Sequence, residues 1–133
     1  MLRTVALRAF AAGLALAVAA SAYAFTPELD GVTWRVVEIE GQPVDGAGSL
    51  VFQGDGISGE AACNRIMGSW KTTEREGHAF GPLATTRKMC DEAKMTKEQQ
   101  LLKALERMQG YKLEGSSLLL LDGERKPAVR LQK

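Results

Sequence analysis

The chain has 133 residues, 45% of them hydrophobic and 25% charged, with 17 Lys and Arg against 16 Asp and Glu. These are the proportions of an ordinary globular protein with a single core, and they exclude a large multidomain enzyme. The charges nearly cancel, so no global field is available to gather nucleic acid or anionic lipid.

Met1 to Arg8 carries Arg3 and Arg8 and no acid, Ala9 to Ala20 is an unbroken apolar run, and small residues follow up to Ala22-Tyr23-Ala24. This is the three-part layout of a secretory signal. The apolar run is shorter than the roughly 20 residues that a membrane-crossing helix needs. The reading is therefore a signal over residues 1–24, cleaved after Ala24, and a single domain over residues 25–133 with no stable membrane anchor. No Cys lies near the cut to carry a lipid. Loss of Arg3 and Arg8 leaves 15 basic against 16 acidic residues, a net charge of −1. The expected location is the periplasm or the medium, and the expected state is a monomer.

Thr33 to Ile39 is rich in β-branched and aromatic residues and reads as the first strand. Gly41 to Gly48 holds too many turn residues to be anything but a loop. Leu50-Val51-Phe52, the turn Gly54-Asp55-Gly56 and Ile57 to Ala61 read as a hairpin. Two further strands are expected at Gly68 to Thr73 and His78 to Phe80, joined across Glu74-Arg75-Glu76-Gly77.

From Lys97 to Met108, Leu101, Leu102, Leu105 and Met108 form one helical stripe, while Lys97, Glu98, Lys103, Glu106 and Arg107 take the wet side. Thr96 followed by Gln99 suggests a capping-box start, and Gly110 a left-handed stop. Tyr111 to Glu114 and Leu118 to Leu121 then form a second hairpin, with Val129 to Leu131 as the last strand. Four consecutive Leu lack alternation, so that strand must be covered on both sides. The helix is the expected outer cover. Trp34 and Trp70 read as interior fillers. The fold class that follows is α+β, mostly β: a small antiparallel barrel-like meander with one packed α-helix.

Cys63 and Cys90 are the two cysteines. Export would place them where thiols oxidise, and an even count favours a structural disulfide. Closing a loop of about 28 residues is worth roughly 3 to 4 kcal/mol in the chain-entropy model. The alternatives are a free reactive thiol or a metal or redox pair, but there is no C-x-x-C spacing and only His78 could join the two sulfurs.

Asp55 to Ser69 (DGISGEAACNRIMGS), Pro82 to Cys90 (PLATTRKMC), Glu98 to Leu105 and Tyr111 to Leu121 together resemble the META domain of HslJ-like proteins. Gly59, Cys63, Asn64, Arg65, Gly68, Thr86, Arg87, Cys90, Glu98 and Leu105 stand at the matching positions. Ala62 stands where the family usually has Gly, and Met89 falls one place later than is usual. The resemblance implies a β-rich barrel-like fold with one helix, a disulfide between the two cysteines, and an exported protein loosely linked to stress tolerance. It implies little chemistry.

A nucleophile needs a base, and His78 is the only His. Ser58 or Ser69 could stand beside it, but no nucleophile-elbow sequence exists, so a His78-centred hydrolase is a weak rival. Glu74 with Glu76, and Asp91 with Glu92, read as solvated turn residues, and Gly54, Gly56 and Gly59 do not form a phosphate-cradling loop. No catalytic residue, metal or cofactor is expected. The most distinctive polar set is Asn64, Arg65, Thr85, Thr86 and Arg87, a possible binding site for an anion or an acidic segment. The plainer reading is that Asn64 and Thr86 satisfy backbone groups around the bridge while the Arg residues pair with Glu60 or Asp91. The function expected from all this is a non-enzymatic envelope domain that contacts a protein or a small ligand. The nearest alternative is an inhibitor of a periplasmic hydrolase inserting Gly41–Gly48 or Glu74–Gly77.

Overall fold

The computed structural model describes residues 11–15, 28–72 and 77–133. The expected signal, apart from residues 11–15, and its cleavage point after Ala24 lie outside the described residues. So do Glu74 and Glu76.

Ten strands and one helix are described. The strands are β1 (Thr33–Ile39), β2 (Gln42–Pro43), β3 (Ser49–Gln53), β4 (Gly56–Glu60), β5 (Arg65–Thr72), β6 (His78–Phe80) and β7 (Ala84–Thr85), then β8 (Gly110–Glu114), β9 (Ser117–Leu121) and β10 (Pro127–Gln132). The helix α1 (Glu92–Glu106) separates β7 from β8. The strands form an antiparallel sheet in the order β6-β5-β4-β3-β1-β10-β9-β8, with β2 added to β1 and β7 to β5. The α+β, mostly β class thus holds, with one departure in detail. The curl stops short of a closed barrel, and β6 and β8 meet at a seam that the His78 N–H bridges by donating to the Gln109 carbonyl at 2.9 Å.

Alternation sorts the side chains. Trp34, Val36 and Ile39 of β1 face inward, and the one-residue slip between Trp34–Val36 and Ile39 is absorbed by a bulge between Val36 and Glu38. Leu50 and Phe52 of β3, Ile57 of β4, and Ile66 and Trp70 of β5 complete that side of the core. Trp34 and Trp70 are buried fillers, as expected, and each indole finds an acceptor, the Leu29 carbonyl at 3.3 Å and the Gly54 carbonyl at 2.8 Å. Two glycines let strands approach closely. A Cβ at Gly48, whose φ is +111°, or at Gly59 would overlap the carbonyl of Glu60 or of Ser49.

Four sequence expectations need correction. Gly41–Gly48 is not all loop, because Gln42 and Pro43 pair with Ile39 and Glu38. The strand expected from Gly68 begins at Arg65, since Arg65 to Met67 pair with Glu60 to Ser58 across the β4–β5 hairpin. The helix starts at Asp91 rather than Thr96: the Asp91 carboxylate accepts the Lys94 N–H at 2.9 Å from an extended N-cap conformation. It ends on Arg107 in the right-handed region, and Gly110 opens β8 instead of supplying a left-handed stop.

The fourth correction concerns where the helix lies. Leu101, Ala104, Leu105 and Met108 share one core with Leu118, Leu120, Val129 and Leu131, so the helix plugs the inside of the curled sheet, against β10, β1 and β6. The run in β9 is buried throughout, but Leu119 and Leu121 lie on the opposite face and belong to no part of that core. Directly across from Leu119 stand Lys112 and Arg130, long side chains whose apolar stems can shield a neighbour.

Candidate functional site

The distinctive polar residues meet where the start of β5 faces the segment between β7 and α1. Cys63 and Cys90 are disulfide-bonded, with Cα atoms 6.0 Å apart, which ties the two segments together. The bridge sets Asn64 against Thr86 and Lys88. Asn64 is buried, and every donor and acceptor of its amide is used. Oδ1 accepts the Lys88 N–H at 2.6 Å and the Thr86 hydroxyl at 2.9 Å. Nδ2 donates to the Lys88 carbonyl at 3.2 Å and to Glu98 Oε2 at 2.8 Å. Thr86 closes the pattern, its hydroxyl oxygen accepting the Arg65 N–H at 3.0 Å and its own N–H donating to the Arg65 carbonyl at 3.2 Å.

Glu98 is the member that the helical stripe misassigned. It is only 4% exposed rather than on the wet side. Its Oε1 accepts the backbone N–H of Asn64 at 2.6 Å and of Cys63 at 3.3 Å, so three N–H donors surround a buried carboxylate. Two backbone N–H groups and one side-chain amide thus satisfy the oxygens of a buried polar group that would otherwise be costly to bury. No local pattern could have located it, because its partners lie 34 and 35 residues away. The one signal was its match to a family position.

Of the proposed binding set, Asn64 and Thr86 are therefore occupied with backbone groups. Arg65 is exposed and lies 3.8 Å from the equally exposed Glu60, a pair worth little. Asp91, the other expected partner, caps the helix. Arg87 is exposed, as are Lys88 and Met89, the last at 86%. Of the Lys88-Met89 pair, neither side chain points inward; the interior is reached by the Lys88 backbone alone. The cluster thus turns its polar atoms inward and its side chains Arg87, Lys88 and Met89 outward.

A second feature sits at the seam. A cleft of about 1080 Å³ runs between β6 and β8, lined by His78, Tyr111, Gln109, Lys112, Asp122 and Glu106 among others. The His78 ring lies 5.2 Å from the Trp70 ring and 4.9 Å from Tyr111, and burial lowers its pKa from the ordinary histidine value. The backbone N–H of Lys126, joined by that of Glu124, holds the Asp122 carboxyl below the usual carboxylate range. His78 is thus packed between two rings, with charges of both signs at the rim of the cleft.

The META domain family model matches residues 27–133. No functionally curated protein matches the chain. Three solved structures share the fold. One, an NMR structure, has 24% identity and a TM-score of 0.60, with 81% of this chain and 94% of that one covered. A DUF4847 family protein from Bacteroides vulgatus has 14% identity and a TM-score of 0.58, covering 78% and 93%. A protein from Burkholderia xenovorans, also solved by NMR, has 22% identity and a TM-score of 0.54, covering 87% and 92%.

Proposed function

The chain belongs to the META domain family, and from that premise we propose that it is a non-enzymatic domain, exported to the bacterial envelope and active there by contact with a protein or small ligand under stress. One observation carries this reading: the loop from Thr86 to Cys90 is held from behind by Asn64 and the disulfide, while Arg87, Lys88 and Met89 stand exposed. A rigid, outward-facing strip loses little entropy on binding. Export to the periplasm or the medium is supported by the signal layout of residues 1–24, and a disulfide is in keeping with an oxidising compartment.

The test places a photo-crosslinking residue at Met89 in the intact envelope, and in a second strain at Lys112 in the seam cleft. Capture of a partner from Met89 supports a loop contact, and capture from Lys112 alone moves the contact to the cleft. Absence of capture at both positions overturns the reading. His78→Ala addresses the rival hydrolase, since full complementation of the deletion phenotype removes the only imidazole without loss. The seam cleft favours a second reading, a small-ligand site beside His78 and Tyr111. The fixed loop favours a third, inhibition of a periplasmic hydrolase.

A further inference from the structure

We propose that Thr86–Cys90 is a substrate-like inhibitory loop and that Arg87 enters the specificity pocket of a trypsin-like serine endopeptidase. This rests on the contact reading above and names the partner for the same loop.

The argument starts from which atoms are held. Thr86 is anchored through its N–H and hydroxyl, and Lys88 through both its N–H and its carbonyl. Arg87 lies between them, and among the described residues its own peptide groups form no hydrogen bond. Cys90, three residues beyond Arg87, is tied to Cys63. No residue from Ala84 to Asp91 takes a positive φ, and the strip from Thr86 to Cys90 runs without a turn or bend. One exposed residue is thus presented between two immobilised neighbours.

The side chain chooses the class of partner. A pocket that carries a buried carboxylate at its base takes a guanidinium through charge-assisted, bidentate hydrogen bonds. Arg87 is exposed and makes no ion pair among the described residues, so it can enter such a pocket without breaking a contact. The Asn64 amide is held in one orientation: its NH₂ donates to the Lys88 carbonyl and to Glu98 Oε2, and Oδ1 accepts from the Lys88 N–H and the Thr86 hydroxyl.

That orientation decides whether the loop is consumed. When the enzyme's serine oxygen attacks the Arg87 carbonyl carbon, a C–O bond forms and the C–N bond to Lys88 breaks. The serine proton passes through the enzyme's histidine to the Lys88 nitrogen. The new amine remains against Asn64 Oδ1, and the disulfide and the β5–β7 pairing keep both ends in place. The amine can therefore re-attack the acyl carbon, expel the serine oxygen and restore the peptide bond, the proton returning by the same route. Preorganisation favours this return over hydrolysis.

The experiment titrates trypsin, as the probe, with the purified protein in its disulfide-bonded form against a chromogenic arginine amide. Reversible inhibition is expected, weakened on the order of 100-fold or more by Arg87→Ala and retained by Arg87→Lys. Asn64→Ala is expected to convert the loop into a substrate, with mass spectrometry finding a cut between Arg87 and Lys88. Thermal melting of Arg87→Ala, expected to match the parent, separates a lost contact from a lost fold. Absence of inhibition by the folded protein, or rapid multiple-turnover cleavage of the parent loop, overturns the proposal. Capture of a partner from Met89 in the envelope, with trypsin uninhibited, would sink the endopeptidase assignment and leave the contact reading standing. No capture from either Met89 or Lys112 would sink the contact reading itself.

Discussion

Glu98 and Asn64 grip each other twice: the carboxylate accepts the Asn64 backbone N–H at 2.6 Å through Oε1 and its side-chain amide at 2.8 Å through Oε2. The helix is thereby joined to the bend before β5 that carries Cys63 and Asn64. Glu98→Gln replaces one acceptor oxygen by a donor facing N–H groups, so a donor meets a donor in a buried place. The expected loss is about 2 to 4 kcal/mol, read from urea unfolding with the disulfide intact. A Glu98→Gln protein as stable as the parent would show that the grip has no energetic weight.

The covalent tie acts on the unfolded chain more than on the folded one. Cys63→Ala is expected to lower stability by roughly 2 to 5 kcal/mol. Reduction of the parent protein should give a similar fall. Parent protein melting at one temperature with and without reductant would contradict this.

Gly48 and Gly41 make a matched pair, because both have positive φ but differ in their surroundings. At Gly41 nothing stands near a would-be Cβ, whereas at Gly48 the Glu60 backbone does. Gly48→Ala is expected to cost about 3 kcal/mol or more, backbone strain and overlap together, against about 1 kcal/mol for Gly41→Ala. Equal melting temperatures for the two variants would remove the close approach from the account.

Burial lowers the His78 pKa in the folded protein, so below the ordinary range the unfolded chain takes up the proton more readily. Stability is therefore complete above about pH 6.5 and declines as pH falls through that value toward the lowered one. Substitution His78→Gln should flatten the stability profile between about pH 7 and pH 5. A profile that is unchanged by the substitution would place the proton elsewhere.

Thr33–Ile39, rich in β-branched residues, coincides with its expected limits, as does the weakly marked His78–Phe80, and the hairpins at Gly54-Asp55-Gly56 and Gly115-Ser116 fall where turn residues mark them. The two-residue strands Gln42–Pro43 and Ala84–Thr85 carry too few residues for a period to exist, and they form only because β1 and β5 offer open edges. The helix start was displaced for a similar reason. Thr96 and Asp91 are both competent caps, and Cys90, held by its bridge, delivers Asp91 to the position where the helix begins. At the polar cluster the residue types Asn64 and Thr86 announced backbone work, while Glu98 looked like one more surface acid.

The amino-acid order alone determined the mostly β class, the interior placing of Trp34 and Trp70, and the existence of one amphipathic helix, because residue type and the 3.6-residue period are local properties of a chain. Tertiary structure decided the rest: that the helix fills the curl rather than covering its outside, that the sheet stays open at the His78–Gln109 seam, and that Glu98 is buried while Arg87 stands out in solvent. Each of those outcomes depends on a donor, acceptor or apolar face supplied from tens of residues away, and desolvation energy is settled only when that partner arrives.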